Sequence, residues 1–109
     1  MKPRLKVWVT FDKNVKLGDG RARFLQTIDE LGSIKKAVVA MGMSYRNAWG
    51  YLRDLERAVG FKLLERRTGP AGGTHLTPQG RAFLDRFWRF RQGLDEVVDR
   101  RFRRSFPQG

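Results

Sequence analysis

From Leu5 to Phe11 apolar and polar residues alternate, with Leu5, Val7, Val9 and Phe11 on one side and Lys6, Trp8 and Thr10 on the other. That period predicts a half-buried strand. Asp12, Lys13 and Asn14 supply turn chemistry, and Val15 to Leu17 is expected to return as the second arm of a hairpin. The period then changes. Phe24, Leu25, Ile28 and Leu31 form a helical face ending at Gly32, with Asp19 as the expected N-cap. Ile34, Ala37, Val38 and Met41 form a second face, capped by Ser33 and ended by Gly42. Met43 is an apolar turn residue suited to plugging the core, and Ser44 caps a third helix. Along it Tyr45, Ala48, Trp49, Leu52, Leu55 and Val59 recur at helical spacing and are expected to face the core, with Ala48 small enough for close helix approach and Gly60 as the stop. Two short capped helices across a tight turn, preceded by a third, read as a helix-turn-helix.

After Gly60, Phe61 to Glu65 is expected as a strand and His75 to Thr77 as its partner, with Arg66 to Thr74 between them. This is a wing. Thr77 and Pro78 then open a last helix, expected to run unbroken to about Arg104. Phe83, Phe87, Phe90, Leu94 and Val97 step along it by four and three, the spacing of a coiled-coil seam, with Leu84, Trp88, Val98 and Phe102 beside it. So broad an apolar surface implies either a two-fold partner or a helix folded back over its own domain. Trp8, on the outer face of its strand, is either a dimer contact or a local packing residue. The expected fold is α+β and mainly helical: a winged helix-turn-helix with an N-terminal strand or hairpin over residues 1–77, then a long C-terminal dimerisation helix and frayed tail over 78–109, as one structural unit.

The front of the third helix carries candidate chemistry. Arg46, Asn47, Gly50, Arg53 and Asp54 are left exposed there. An Arg can bond bidentately to guanine and an Asn to adenine, and Gly50 removes bulk where a base pair approaches. The expected DNA-binding set is Ser44, Tyr45, Arg46, Asn47, Gly50 and Arg53 on this helix, with Arg66, Arg67 and Thr68 on the wing. Taken alone, Arg46 and Arg53 read first as solvated helix residues, but their place on the second helix after a tight turn favours the groove contact. Arg21 and Arg23 stand in the first turn of their helix, where the macrodipole disfavours cations. A phosphate role and a plain solvated face both fit. The segment GPAGG lacks the Gly-Lys-Ser/Thr ending of a phosphate-binding loop and leads into a strand. His75 is left without a role.

The segments GSIKKA, GMSYRNAW, LLERRTGPAGG and HLTPQG resemble the N-terminal winged helix-turn-helix domain of the molybdate-responsive regulator family ModE. More distantly, S-x-x-x-A, then S, LE, G, L, ER and LTPQG are similar to the LysR-type regulators. The resemblance spans roughly Val7 to Arg89. It implies that the second helix of the motif enters the major groove and that the last helix is a dimer interface. Val38 departs from the second small residue common beside Ala37, and the wing is slightly shorter. Those regulators usually continue into an oxyanion-binding module of two small barrels, for which these residues leave no room. If molybdate or tungstate matters, its sensing is therefore expected on a separate effector-binding protein or outside these residues.

A length of 109 residues suits one domain. The formal net charge of +12 points to a polyanion, whether DNA, RNA or an anionic membrane surface. The chain has no cysteine and one histidine, which excludes disulfides, thiolate metal sites and a histidine cluster; no metal or other cofactor is expected. Asp29 with Glu30, and Asp95 with Glu96, are sequence neighbours and point apart on a helix, so no acid–base pair forms and a non-enzyme is expected. No apolar run approaches a membrane span and no leader pattern opens the chain, so a cytoplasmic location without membrane attachment is expected. Three functions compete. The first is a homodimeric, sequence-specific regulator of transcription on double-stranded DNA, with any link to molybdenum or tungsten homeostasis resting on the resemblance. The second is a low-specificity architectural or nucleoid protein. In the third, the basic amphipathic last helix serves a membrane or another protein. Asn47 beside Arg46 favours the first, the charge favours the second almost equally, and the regular aromatic seam speaks against a membrane.

Overall fold

The two periods of the sequence become two hairpins and five helices. The computed structural model describes residues 1–11, 14–70 and 72–107. In order these are β1 (Trp8–Phe11), β2 (Val15–Gly18), α1 (Asp19–Leu31), α2 (Ile34–Met41), α3 (Tyr45–Val59), β3 (Leu64–Arg67), β4 (Gly73–Leu76), α4 (Pro78–Arg91) and α5 (Leu94–Ser105). Of the expected first turn, Asp12 and Lys13 lie outside the described residues. β1 and β2 pair antiparallel with Trp8 opposite Gly18; β3 and β4 pair antiparallel with Leu64 opposite Leu76.

Local chemistry sets most boundaries. The Ser33 hydroxyl accepts from the Lys36 amide at 3.1 Å, Ser44 from Asn47 at 3.3 Å, and Thr77 from Gly80 at 2.9 Å. Each bond satisfies a first-turn amide that lacks an intrahelical partner. Gly32, Gly42 and Gly60 end α1, α2 and α3 at positive φ. Asp19 is not a cap. Gly18 occupies that position without a side-chain bond, and Asp19 is the first helical residue, its carboxylate accepting from Arg91 Nε at 3.0 Å. Arg91 also donates to Asp95 at 3.1 Å and so clasps α1, α4 and α5 together.

Ala22, Ala37 and Ala48 are fully buried where the helices meet, around Phe24, Leu25, Ile28 and Leu55. Val38 joins this core. Tyr45 and Trp49 do not: they are 49% and 47% exposed. Ala48, Leu52 and Leu55 fill the apolar arc of α3, and these two rings lie beyond its edge.

The wing is displaced from its expected place. The Glu56 carboxylate accepts from the Leu63 amide at 2.7 Å and the Leu64 amide at 3.3 Å, holding the segment after α3 as a loop. β3 therefore starts at Leu64 and takes in Arg66 and Arg67, and Phe61 turns edge-on to Phe83.

The C-terminal helical arm reaches Ser105 but is interrupted once, where Gln92 leaves the helix and Gly93 adopts a φ of 85°. This interruption divides the expected seam. Phe87 is buried and Phe83 packs between Phe11 and Phe61, with ring centroids 5.6 and 6.0 Å away. Both belong to the core of their own domain, which corrects their assignment to a dimer interface. Phe90 and Val97 remain exposed, Leu94 is half-buried, and α5 buries no residue.

Gly80 shows how tightly α4 seats. The Thr77 amide and hydroxyl donate to the Leu63 and Lys62 carbonyls at 2.9 and 2.6 Å, and a Cβ at position 80 would overlap the Leu63 carbonyl. Gly80→Ala is expected to destabilise the protein by about 1–3 kcal/mol through overpacking, read as a melting temperature lowered by roughly 4 °C or more. A melt unchanged from wild type would contradict this contact.

Candidate nucleic-acid interface

The face of α3 turned from the core carries Arg46, Asn47, Arg53 and Asp54, all exposed, around a half-buried Gly50. Ser44 starts the helix through its bond to the Asn47 amide, so Tyr45, Arg46 and Asn47 form the first turn while the Asn47 side chain stays in solvent. A Cβ at position 50 would meet only the Arg53 guanidinium, at 3.9 Å. Packing therefore does not require this glycine, which costs a helix interior about 0.5–1 kcal/mol relative to alanine. What it provides is a flat approach between flanking polar side chains. Arg53 lies 3.7 Å from Asp54, but both are so exposed that the pair contributes little.

The wing separates its two arginines. Arg67 Nη2 donates to the Leu76 carbonyl at 3.2 Å and lies 3.5 Å from Glu65, so it is engaged within the hairpin. Arg66 points to the other face, as alternation along a strand requires, and is exposed beside a groove of about 330 Å³ between wing and α3. Thr68 is exposed just beyond the strand. Both arginines thus stand in β3 and not in the segment between the strands. Arg66→Ala is expected to weaken binding to every DNA sequence and flatten its salt dependence by about one counterion per protomer, while Arg67→Ala changes the slope less. Equal slopes for the two variants, measured by titration at several salt concentrations, would contradict this division.

That groove also holds Lys35, Tyr45 and Trp49, the two rings edge-on with centroids 6.2 Å apart. Neither Lys35 nor Trp49 stands out as an interface residue in the sequence. A signal for Trp49 existed: Glu56, two turns further along the same stripe, is charged and marks that flank of α3 as the edge of the apolar arc.

The wing is fastened at its root. Asp29 Oδ1 accepts from the Leu76 amide at 2.9 Å, and its other oxygen pairs with Arg81. Burial raises the carboxyl pKa, but the Leu76 amide, Arg81 and His75 outweigh it and hold Asp29 below the usual carboxylate range. His75 spans two carbonyls, with Nδ1 3.0 Å from Asp29 O and Nε2 3.3 Å from Gly72 O. A histidine without an assigned role in the sequence is thus a wing anchor, and Asp29 is structural. Among the described residues, no group of three His, Asp or Glu side chains forms a possible metal site.

Of the first-turn cations of α1, Arg21 lies over the Tyr51 ring at 4.3 Å and also lines the concavity in front of α3. Arg23 is exposed.

Comparison with known proteins agrees with this geometry. Residues 20–81 match the family model of bacterial regulatory helix-turn-helix proteins of the lysR family. Over 66 residues the chain is 38% identical to the transcriptional regulator ModE of Haemophilus influenzae, covering 59% of this chain and 26% of that protein. Over 91 residues it is 30% identical to the molybdenum transport protein ModE of Azotobacter vinelandii, covering 82% of this chain and 34% of that one. The chain therefore spans between a quarter and about a third of the length of these relatives. Among solved structures, that of CbnR, a LysR family transcriptional regulator, superposes with a TM-score of 0.59 at 26% identity, over 78% of this chain and 29% of that one.

Proposed function

The chain belongs to the lysR family of bacterial regulatory helix-turn-helix proteins, and from that premise we propose that it is a sequence-specific regulator of transcription that binds double-stranded DNA as a homodimer. The observation that carries this is the face of α3, where Arg46 and Asn47 stand exposed around a glycine that packing does not require. In a major groove Arg46 bonds to guanine and Asn47 to adenine, while Tyr45 and Arg53 border the contact. Ser44 sets the start of the helix, and Arg66 and Thr68 meet the flanking backbone. Residues 1–77 bind DNA and residues 78–109 pair two chains through Phe90, Leu94 and Val97. Such a dimer spans half-sites about 34 Å apart, one helical turn.

The name of the Azotobacter vinelandii relative, a molybdenum transport protein, supports a link to molybdenum, with the effector held on a separate protein or outside these residues. A second function, coating DNA with little sequence preference, is favoured by the net charge of +12. Attachment by a spanning helix has no support, since no helix among the described residues is long and apolar enough to cross a membrane.

Selection of binding sites from a random duplex pool tests the proposal. A palindrome with half-sites about ten base pairs apart is expected. Recovery of unrelated sequences would overturn it in favour of the coating protein.

A further inference from the structure

The β1–β2 hairpin precedes residues 20–81, the segment that matches the family, and it packs against α3 on the Tyr51 flank, opposite the Trp49 flank that faces the wing groove. Helical spacing puts Trp49 and Tyr51 on either side of the Gly50 row. Trp49 borders the groove towards the wing, and Tyr51 borders a second groove beneath the hairpin. The Tyr51 hydroxyl donates to the Lys16 carbonyl at 2.6 Å and ties α3 to β2. Burial pushes that phenol up to about 12, so it stays a donor at neutral pH.

This second groove presents cations on aromatic faces. The Arg21 guanidinium lies 4.3 Å from the Tyr51 ring centroid and the Lys16 ammonium 5.1 Å from that of Trp8. Trp8 itself is 49% exposed. No carboxylate stands among the described residues that line the groove. Asp19, at the start of α1, is engaged by Arg91. Arg21 lines both this groove and the concavity in front of α3, so the two hollows adjoin through a shared cation.

An α-helix is about 10–12 Å across and the major groove of DNA about 12 Å wide. A helix seated there brings its two flanks against the two phosphate ridges that border the groove. The wing side of α3 offers Arg66 to one ridge. We propose that the β1–β2 hairpin, together with the first turn of α1, is a second backbone clamp, in which Lys16 of β2 and Arg21 of α1 contact phosphates of the opposite ridge and Trp8 packs against deoxyribose. Charge complementarity and continuity with the α3 face identify the occupant as the duplex that α3 reads, so the inference rests on the proposed seating of α3. The aromatic rings hold both cations in place before DNA arrives, which reduces the ordering cost of the contact.

The test uses the full chain carrying Lys16→Gln, Arg21→Gln or both, with a selected and a scrambled duplex titrated at several salt concentrations. Each lost phosphate contact is expected to reduce the slope of log K against log salt by about 0.9, hence by roughly 1.8 per substitution for a dimer on a palindrome. Affinity for both duplexes falls by the same factor, so their ratio is kept, and Arg21→Lys restores most of the slope. Ethylation interference should also disappear from one strand of each half-site. Lys16 holds Tyr51 through its carbonyl and not its side chain, so Lys16→Gln still decides the matter if an Arg21 variant melts early. A wild-type slope in Lys16→Gln and in a well-folded double variant would overturn the clamp and leave the assignment of α3 intact. A wild-type chain without affinity for either duplex would overturn the reading beneath it.

Discussion

Asn47→Ala is expected to abolish most of the preference of this protein for its operator while leaving its grip on arbitrary DNA nearly unchanged. A bidentate bond from Asn to adenine contributes about 1–3 kcal/mol of discrimination. A dimer makes the contact twice, so the operator loses roughly 2–6 kcal/mol, or about thirtyfold to twenty-thousandfold in affinity. The substitution removes no charge, and nonspecific affinity comes mainly from counterion release. The salt slope should therefore stay as in the wild type. Arg46→Ala is expected to act on specificity to a similar extent, with a slightly reduced slope because a cation is lost. Asn47 is exposed and only its backbone amide is used by the fold, so the melting temperature should barely move. Affinities measured on operator and scrambled duplexes decide this. If Asn47→Ala weakened both alike, α3 would not be reading bases.

Val97→Asp is expected to separate the proposed dimer. Val97 is 41% exposed on a helix with no fully buried residue, and Phe90, on the preceding helix, is 50% exposed. An unpaired carboxylate in an apolar interface costs several kcal/mol. Sedimentation should then show a monomer with an unaltered melt, and affinity for the palindrome should fall by about a hundredfold to ten-thousandfold as the second half-site ceases to be an intramolecular partner. Binding to an isolated half-site should persist. Phe87→Ala would behave differently. That ring is buried in the monomer, so its loss should cost about 3–5 kcal/mol of stability. A Val97→Asp protein that remained dimeric would place the interface elsewhere.

Much of this architecture was legible because it is locally determined. Ser33, Ser44 and Thr77 each bond an amide three residues on, and Gly32, Gly42 and Gly60 each stop a helix at positive φ; such rules need no tertiary knowledge. The exposed polar face of α3 was legible for the same reason, as the complement of an apolar arc.

What was not legible depends on partners distant in sequence. Asp19 has the chemistry of a cap, but Arg91 draws its carboxylate away. Arg66 and Arg67 look equivalent until the strand alternation puts them on opposite faces, where both are exposed but only Arg67 is bonded to the Leu76 carbonyl and paired with Glu65. Phe83 and Phe87 share a repeat with Phe90 and Val97, and only the break at Gln92–Gly93 and the position of Phe11 and Phe61 separate core from arm. Tyr45 and Trp49 fit the apolar period, yet the space beside them is a groove. His75 and Asp29, remote in sequence, meet only when the wing folds back on α1.

The most direct test of specific recognition is the affinity ratio between a selected palindrome and a scrambled duplex of equal length at physiological salt. A dimeric regulator whose α3 reads bases should prefer the palindrome by at least about a thousandfold. Equal affinity for both, with a steep fall as salt rises, would mean that the charge of this protein coats DNA and that Arg46 and Asn47 read nothing.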